Sequence, residues 1–469
     1  MQRGDLVTLR GERSPRATKR AALLVAAVVV GAVVLAAPAF QSPEVVDDGS
    51  AGVPPAEDET PRGDRSQGHD WAPDDPRGRP AVPPAPRLPR AYRFISAPDF
   101  LNQDVADLTD RGGRPVPDPT SGRVANSTSA SYEDALLEML DEMRSQGARD
   151  VLVAGDLVEG RWGRDDSGAG VFGPIETPSQ RFNAARAAAD VYYRSWARRL
   201  ARHGLTPFPA LGDHEIGDNP WARRGDEWID FKLDHVDELK KLYSDHLLRT
   251  RDGAWRWPDR PSSGQARRTA YATRLDPNVL LVTIDPFTRS QDDVRMRVDA
   301  AQLRWLRQVL RGAREARVPW VVVQGHTPIT GPVRHRNSSR LRYERGTSSP
   351  LWKAMVDGGV DVYLCGEVHD QSVNIRDGIM QVAHGSLFYR GEASYILGQA
   401  TRRQLVLENH QFRGQMDFTD RLWTTSRLGA PAAVSYRFPS IVTGTLSARR
   451  TPDGGLAVQR TAGILDPVE

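Results

Sequence analysis

The stretch Val151-Leu152-Val153-Ala154-Gly155-Asp156 constrains this chain most. It has the length and β-branched composition of a short buried strand, and it runs straight into Gly-Asp. Gly155 allows a sharp turn, and Asp156 is left at the strand's carboxyl end, facing a cleft. Four more apolar runs end in the same way. Arg93-Phe94-Ile95-Ser96 leads to Asp99, and residues 206–211 lead to Gly212-Asp213-His214-Glu215. Residues 320–324 lead to Gly325-His326, and residues 360–365 to Gly366-Glu367-Val368-His369. Strands that deliver carboxylates and imidazoles to one rim predict a metal site built from loops on a rigid sheet.

Each piece alone has a plainer explanation. A strand-end Gly-Asp is often a turn or a helix cap. His214 or Glu215 could cap a helix, His326 could be a satisfied core histidine, and Glu367 with His369 could form a surface turn. The recurrence at five strand ends favours the metal reading. Asp156, at the centre of the series, is the candidate for a carboxylate shared by two cations. Asp213 is a ligand candidate, and His214 beside it suits a general acid. His326 suits a borderline metal. Glu367 and His369, two residues apart, share a face of extended backbone.

The remaining sequence sets the context. Among 469 residues, 63 Lys and Arg stand against 60 Asp and Glu, interspersed along the chain. No nucleic-acid-binding motif is present. The single cysteine, Cys365, excludes an internal disulfide framework and reads as a buried small hydrophobe. Residues 21–40 are almost wholly Ala, Val, Leu and Gly and follow several basic residues. That run is long enough to span a bilayer, and its Ala37-Pro38-Ala39 end resembles a signal-peptidase site. Residues 1–40 are therefore expected to be a signal peptide or a signal anchor. The rest of the chain is expected to be extracytoplasmic, either secreted or held at the cell membrane. Residues 41–90, rich in Pro, Gly, Asp and Arg, read as a disordered linker.

From residue 91 helical and strand patterns alternate, which predicts an α/β body over 91–391. Residues 392–469 change to short alternating runs and predict a C-terminal β-rich region, with a hairpin through Pro452-Asp453-Gly454-Gly455. Three long loops, 159–178, 217–230 and 251–268, carry Arg and Trp. They read either as a phosphate clamp or as a packed lid. There is no Gly-x-Ser-x-Gly elbow, phosphate-cradling Gly-Lys loop or dinucleotide fingerprint.

In their order, these motifs resemble the calcineurin-like metallophosphoesterase superfamily, which includes the purple acid phosphatases. The resemblance runs from Tyr92 to Tyr389. It implies a four-layer αββα sandwich, two divalent metal ions and a phosphate-ester substrate hydrolysed by a hydroxide held on the metals. Carried over residue by residue, it assigns Asp156 as the bridge. Asp99 and His369, with Asn102, hold one metal; Asp213, His326 and Glu367 hold the other; His214 is the acid. The match has substitutions. Leu101 stands where the family has His, Asp213 where it has Asn, Glu367 where it has His, and Glu159 where purple acid phosphatases have Tyr. Four carboxylates leave a nearly neutral dinuclear centre and favour oxygen-preferring metals, Mn, Fe or Mg, over Zn. The alternative expectations are a catalytically inactive phosphoesterase-like binding module at the cell surface and a structural envelope protein.

Overall fold

The computed structural model describes residues 79–100, 130–158, 160, 162, 172–223, 225–336, 338–387, 392–416, 434–451 and 455–468. The apolar run 21–40, Leu101 and Asn102 lie outside them. The strands are β1 (Tyr92–Ser96), β2 (Asp150–Val153), β3 (Thr206–Pro209), β4 (Tyr271–Asp276), β5 (Val279–Thr283), β6 (Phe287–Arg289), β7 (Val294–Met296), β8 (Trp320–Gln324), β9 (Val362–Cys365), β10 (Ser372–Arg376), β11 (Ile379–Ala383), β12 (Glu392–Ala400), β13 (Gln404–Met416), β14 (Val434–Arg450) and β15 (Leu456–Gly463). The helices are α1 (Ala130–Ser145), α2 (Pro178–Arg202), α3 (Glu227–Asp234), α4 (Val236–Tyr243), α5 (Ala300–Glu315) and α6 (Pro350–Gly358).

Two sheets carry the fold. One has the order β15-β14-β13-β12-β1-β2-β3, the other β10-β11-β9-β8-β5-β4. The period-2 pattern of the second sheet explains the layers. Leu281, Trp320, Val322, Val362, Leu364 and Val382 point into a core shared with the first sheet. Their neighbours Val282, Val321, Val323 and Tyr363 point the other way, against Leu306 and Leu310 of α5 and Trp352 and Met355 of α6. Alternate faces of this sheet are both apolar because its parallel strands β5, β8, β9 and β11 are covered on both sides. On the first sheet, Leu136 and Leu140 of α1 and Ala188, Tyr192 and Trp196 of α2 complete the same core. The result is the αββα sandwich.

Local signals start the helices where the sequence places them. Thr177 and Gln180 form a reciprocal capping box before α2, with Pro178 at its first turn. Asp299 caps α5 and Ser349 caps α6. No helix among the described residues is long and apolar enough to cross a membrane.

Two boundaries differ from the sequence reading. The C-terminal strands β12–β15 extend the first sheet: β12 pairs antiparallel with β1 along its whole length. The expected linker also ends early. Residues 79–90 lie on the sheet, where the Val82 amide donates to Val442 O at 2.8 Å, Ala85 to Glu408 Oε1 at 2.8 Å and Leu88 to Gln399 Oε1 at 3.1 Å. A proline-rich segment has few amides to satisfy, so three such bonds and buried Leu88 suffice to seat it.

Candidate metal centre

Five strand ends meet at one point. The turns after β1, β2, β8 and β9 are bonded to one another. The Asp99 amide donates to Gly155 O at 3.1 Å, that of Phe100 to Asp156 O at 2.8 Å, and that of Gly366 to His326 O at 2.9 Å. Asp99, Asp156, Glu367 and His369 all have positive φ, between 51° and 69°. For non-glycine residues this costs about 1–3 kcal/mol each, and such strain collects at functional sites. Two glycines allow the close approach. A side chain at Gly155 would meet His326 Nδ1 at 2.4 Å, and one at Gly212 would meet Asp156 Oδ1 at 2.0 Å.

The polar heads are dense and dry. Asp99, Asp156, Asp213, His326 and Glu367 are all buried. His326 Nε2 lies 2.9 Å from Asp213 Oδ1, 3.1 Å from Asp156 Oδ2 and 3.5 Å from Glu367 Oε2. Its Nδ1 lies 2.9 Å from Ala154 O, which fixes the ring and turns Nε2 toward the carboxylates. His369 Nε2 is 4.0 Å from Asp99 Oδ1, and its Nδ1 is 3.2 Å from Arg336 O. The His214 amide donates to Asp156 Oδ1 at 3.1 Å. Its ring Nε2 lies 3.9 Å from Asp156 Oδ2 and 3.8 Å from Asp218 Oδ1.

Burial and crowding shift these groups. Burial, then neighbouring carboxylates, pushes Asp99 and Asp156 above the usual carboxylate range. Burial and the Asp213 charge raise Glu367 to about 7. Burial also opposes ionisation of Asp213, but the adjacent imidazoles of His326 and His214 outweigh it and hold Asp213 low. Burial disfavours the His326 cation, yet Asp156, Asp213 and Glu367 raise it well above an ordinary histidine. Burial lowers His369 to about 4.

The calcineurin-like phosphoesterase family model matches residues 129–371. The chain belongs to this family. Among solved structures, a purple acid phosphatase from yellow lupin seeds is 11% identical with a TM-score of 0.42, covering 75% of this chain and 55% of that one. GAP50, the anchor in the inner membrane complex of Plasmodium, is 12% identical with a TM-score of 0.35, covering 68% of this chain and 84% of that one. A putative 5'-nucleotidase from Staphylococcus aureus is 9% identical with a TM-score of 0.33, covering 81% of this chain and 55% of that one. The chain thus spans about half the length of the lupin and Staphylococcus proteins. No curated protein matches it.

The family uses a pair of divalent metals, and the residues of this chain fit them. Ligand atoms lie within 4.8 Å of one another in three overlapping groups: Asp99, Asp156 and His326; Asp156, Asp213 and His214; Asp213, His326 and Glu367. Asp99 Oδ2, Asp213 Oδ1 and His326 Nε2 are buried without a hydrogen-bond partner. Buried polar atoms are nearly always satisfied, so unsatisfied ones that converge point to a cation. Three carboxylate oxygens around one imidazole nitrogen need positive charge among them, from a proton or a metal.

The structure also shows supports that the sequence reading did not assign. Glu215 is buried behind the site. Its carboxylate accepts from the amides of Gly212 at 2.6 Å, Leu157 at 2.7 Å and Asp156 at 3.1 Å. Asn219 Nδ2 donates to Asp213 Oδ2 at 3.1 Å. Ser339 Oγ and the Leu341 amide donate to Glu367 Oε1 at 2.6 and 3.0 Å. The Asp-His-Glu run was the only local signal for Glu215; the others are contacts across the fold. His384, the remaining strand-end histidine, is buried, with Nε2 2.7 Å from Ser96 Oγ and Nδ1 3.0 Å from Cys365 O, and it ties the sheets together. Trp162, Trp221 and Trp257 from the long loops are core residues.

Proposed function

We propose that this phosphoesterase hydrolyses a phosphate ester at a two-cation centre, with His214 protonating the leaving oxygen. The observation that carries the reading is the convergence of four buried carboxylates on His326 Nε2 and its surroundings, with His214 at the edge of the same cluster. Asp99 and His369 would hold one metal, and Asp213, His326 and Glu367 the other. Asp156 would be common to both. The resemblance adds Asn102 to the first. Bound divalent cations supply a nucleophile at neutral pH and neutralise phosphoryl oxygens. Oxygen-preferring metals suit the donor set.

The protein's own contribution is to bind, orient and shed protons. The His214 backbone is pinned on Asp156, while its ring is partly open to substrate, at 14% side-chain exposure. A proton on Nε2 passes to the departing alkoxide, which lowers the barrier for poor leaving groups. Glu215 fixes the turn carrying Asp156, and the Ala154 carbonyl fixes the His326 ring. The basic residues ahead of the apolar run 21–40 support an extracytoplasmic site of action.

One observation favours a second reading, an inactive binding module. Asp213 and Glu367 bring negative charge where the family resemblance implies neutral ligands, and this lowers Lewis acidity. Full-length protein loaded in turn with Mn, Fe, Zn and Mg separates the two, assayed on p-nitrophenyl phosphate and its diester. The proposal expects turnover that follows metal content and is lost in Asp156→Asn. Full metal content without turnover on either ester would establish the binding module instead.

A further inference from the structure

The loop bearing the last two ligands is the most strained part of the centre. Glu367 and His369 have φ of 69° and 51° within three residues. Such a loop keeps its shape only if its surroundings impose it. One side is held by the segment before α6, where the Arg336 amide donates to Val368 O at 2.8 Å. The other side is held from far away. Asp370 and Gln371, next after His369, are both buried. A single guanidinium grips both: Arg79 donates from Nη2 to Asp370 Oδ1 and from Nη1 to Gln371 Oε1. Arg79 is itself buried, and it lies 291 residues before Asp370 in the chain.

Arg79 is in turn anchored. Its carbonyl accepts from Arg413 Nη2 at 3.2 Å. Residues 79–90 then cross β14, β13 and β12 through the bonds of Val82, Ala85 and Leu88 before entering β1. Prolines at 80, 83, 84, 86 and 89 keep this strap extended and short of slack. Gln371 passes the contact on, since its Nε2 donates to Ser394 Oγ at 2.6 Å and that hydroxyl donates to Gly385 O at 2.8 Å.

We propose that Arg79 is a positioning residue for His369. Residues 79–90 then act as a strap that sets the occupancy of the Asp99–His369 half of the metal centre. This rests on the two-metal reading above. Without its guanidinium partner, Asp370 is a buried charge with no counter-ion among the described residues, and it relaxes toward water. His369 is the adjacent residue and moves with it. The Asp213–His326–Glu367 half keeps its own supports, Asn219, Ala154 O, Ser339 and Leu341.

The test uses the full chain, Arg79→Ala and Arg79→Lys, each stripped and titrated with Mn. Bound metal is counted by mass spectrometry, and the spin coupling of a Mn pair is read by electron paramagnetic resonance. Melting of the metal-free forms reports the fold. Wild type is expected to bind two coupled Mn. Arg79→Ala is expected to keep one Mn with an uncoupled spectrum, its second affinity lowered about 10–100-fold, the range for groups that support a ligand. Arg79→Lys keeps the buried charge and the fold but cannot grip two acceptors, so it should recover part of the second affinity. Two coupled Mn at wild-type affinity in both variants would overturn the strap and leave the two-metal reading standing. Fewer than two Mn in the wild type would overturn that reading, and the strap with it.

Discussion

The two halves of the proposed metal centre are built differently. The Asp213–His326–Glu367 half is crowded: three ligand atoms lie within 4.8 Å, and each residue is braced by a bond within the surrounding loops. The Asp99–His369 half is sparse. His369 Nε2 is 4.0 Å from Asp99, Leu101 stands where the family resemblance implies another ligand, and the supporting grip comes from Arg79. In this proposal Asp156 would join the halves. The lesson is that a shared bridge does not make two equal sites. One half is preformed by neighbouring strand ends, and the other depends on distant parts of the chain.

The largest expected effect tests the bridge. Asp156→Asn removes the carboxylate common to both halves, so both metals should leave together and turnover should fall to background; retention of either metal would break the picture of a shared ligand. Next is His214→Ala, which in the proposed mechanism removes the proton donor at the edge of the cluster. Turnover of an alkyl phosphate should fall about 10²–10⁴-fold, while the p-nitrophenyl ester, whose leaving group needs little help, should lose far less at unchanged metal content. An equal loss on both substrates would deny His214 the role of acid.

Glu215→Gln comes third. A carboxamide oxygen cannot accept three amides as the carboxylate does, so metal affinity should drop about 10–100-fold and the melting temperature should fall. Both halves should weaken, because the turn of Asp156 serves both.

The smallest effect concerns the metal-free protein. Asp99, Asp156 and Glu367 have raised pKa values in the folded state, chiefly from burial, with Glu367 at about 7. These three carboxyls then hold more protons in the folded state than in the unfolded chain between the ordinary carboxylate range and about pH 7. They act against the proton that burial removes from His369, and the melting profile reads the balance directly. The carboxyls' contribution to stability is full at the acid end of that window and is lost as pH rises through it, by about 1.4 kcal/mol for each tenfold difference in proton affinity between the folded and unfolded chain. Chelated protein should melt lower at pH 8 than at pH 5, and added Mn should flatten the difference. A chelated protein most stable at pH 8 would contradict the crowding of carboxylates.

Much of this was legible in the sequence because the signals are local. A β-branched run followed by Gly and a polar head marks a strand end, and the ends at Asp99, Asp156, Asp213, His326 and Glu367 do converge. The α/β body was legible in the alternating strand and helix patterns, while the αββα layering came with the family resemblance. What the sequence hid is long-range. Nothing near Arg79 announces a partner 291 residues away, so a proline-rich stretch read as linker to residue 90. Short alternating runs after residue 392 do not reveal that β12 continues the core sheet at β1. The long loops read either as a phosphate clamp or as a packed lid, and their tryptophans favour packing: Trp162 packs on Tyr192 and Tyr193, and Trp257 stacks on Tyr271. Apolar rings are buried wherever a surface is offered, and loop position says little about which surface that is.

The most direct test of the central claim is stepwise metal loading of the stripped full-length protein, followed by native mass spectrometry beside Asp99→Asn and Glu367→Gln. The account predicts two binding steps in the wild type, with Asp99→Asn losing the weaker step and Glu367→Gln the tighter one. A single step, or the same loss in both variants, would contradict two unequal half-sites joined at Asp156.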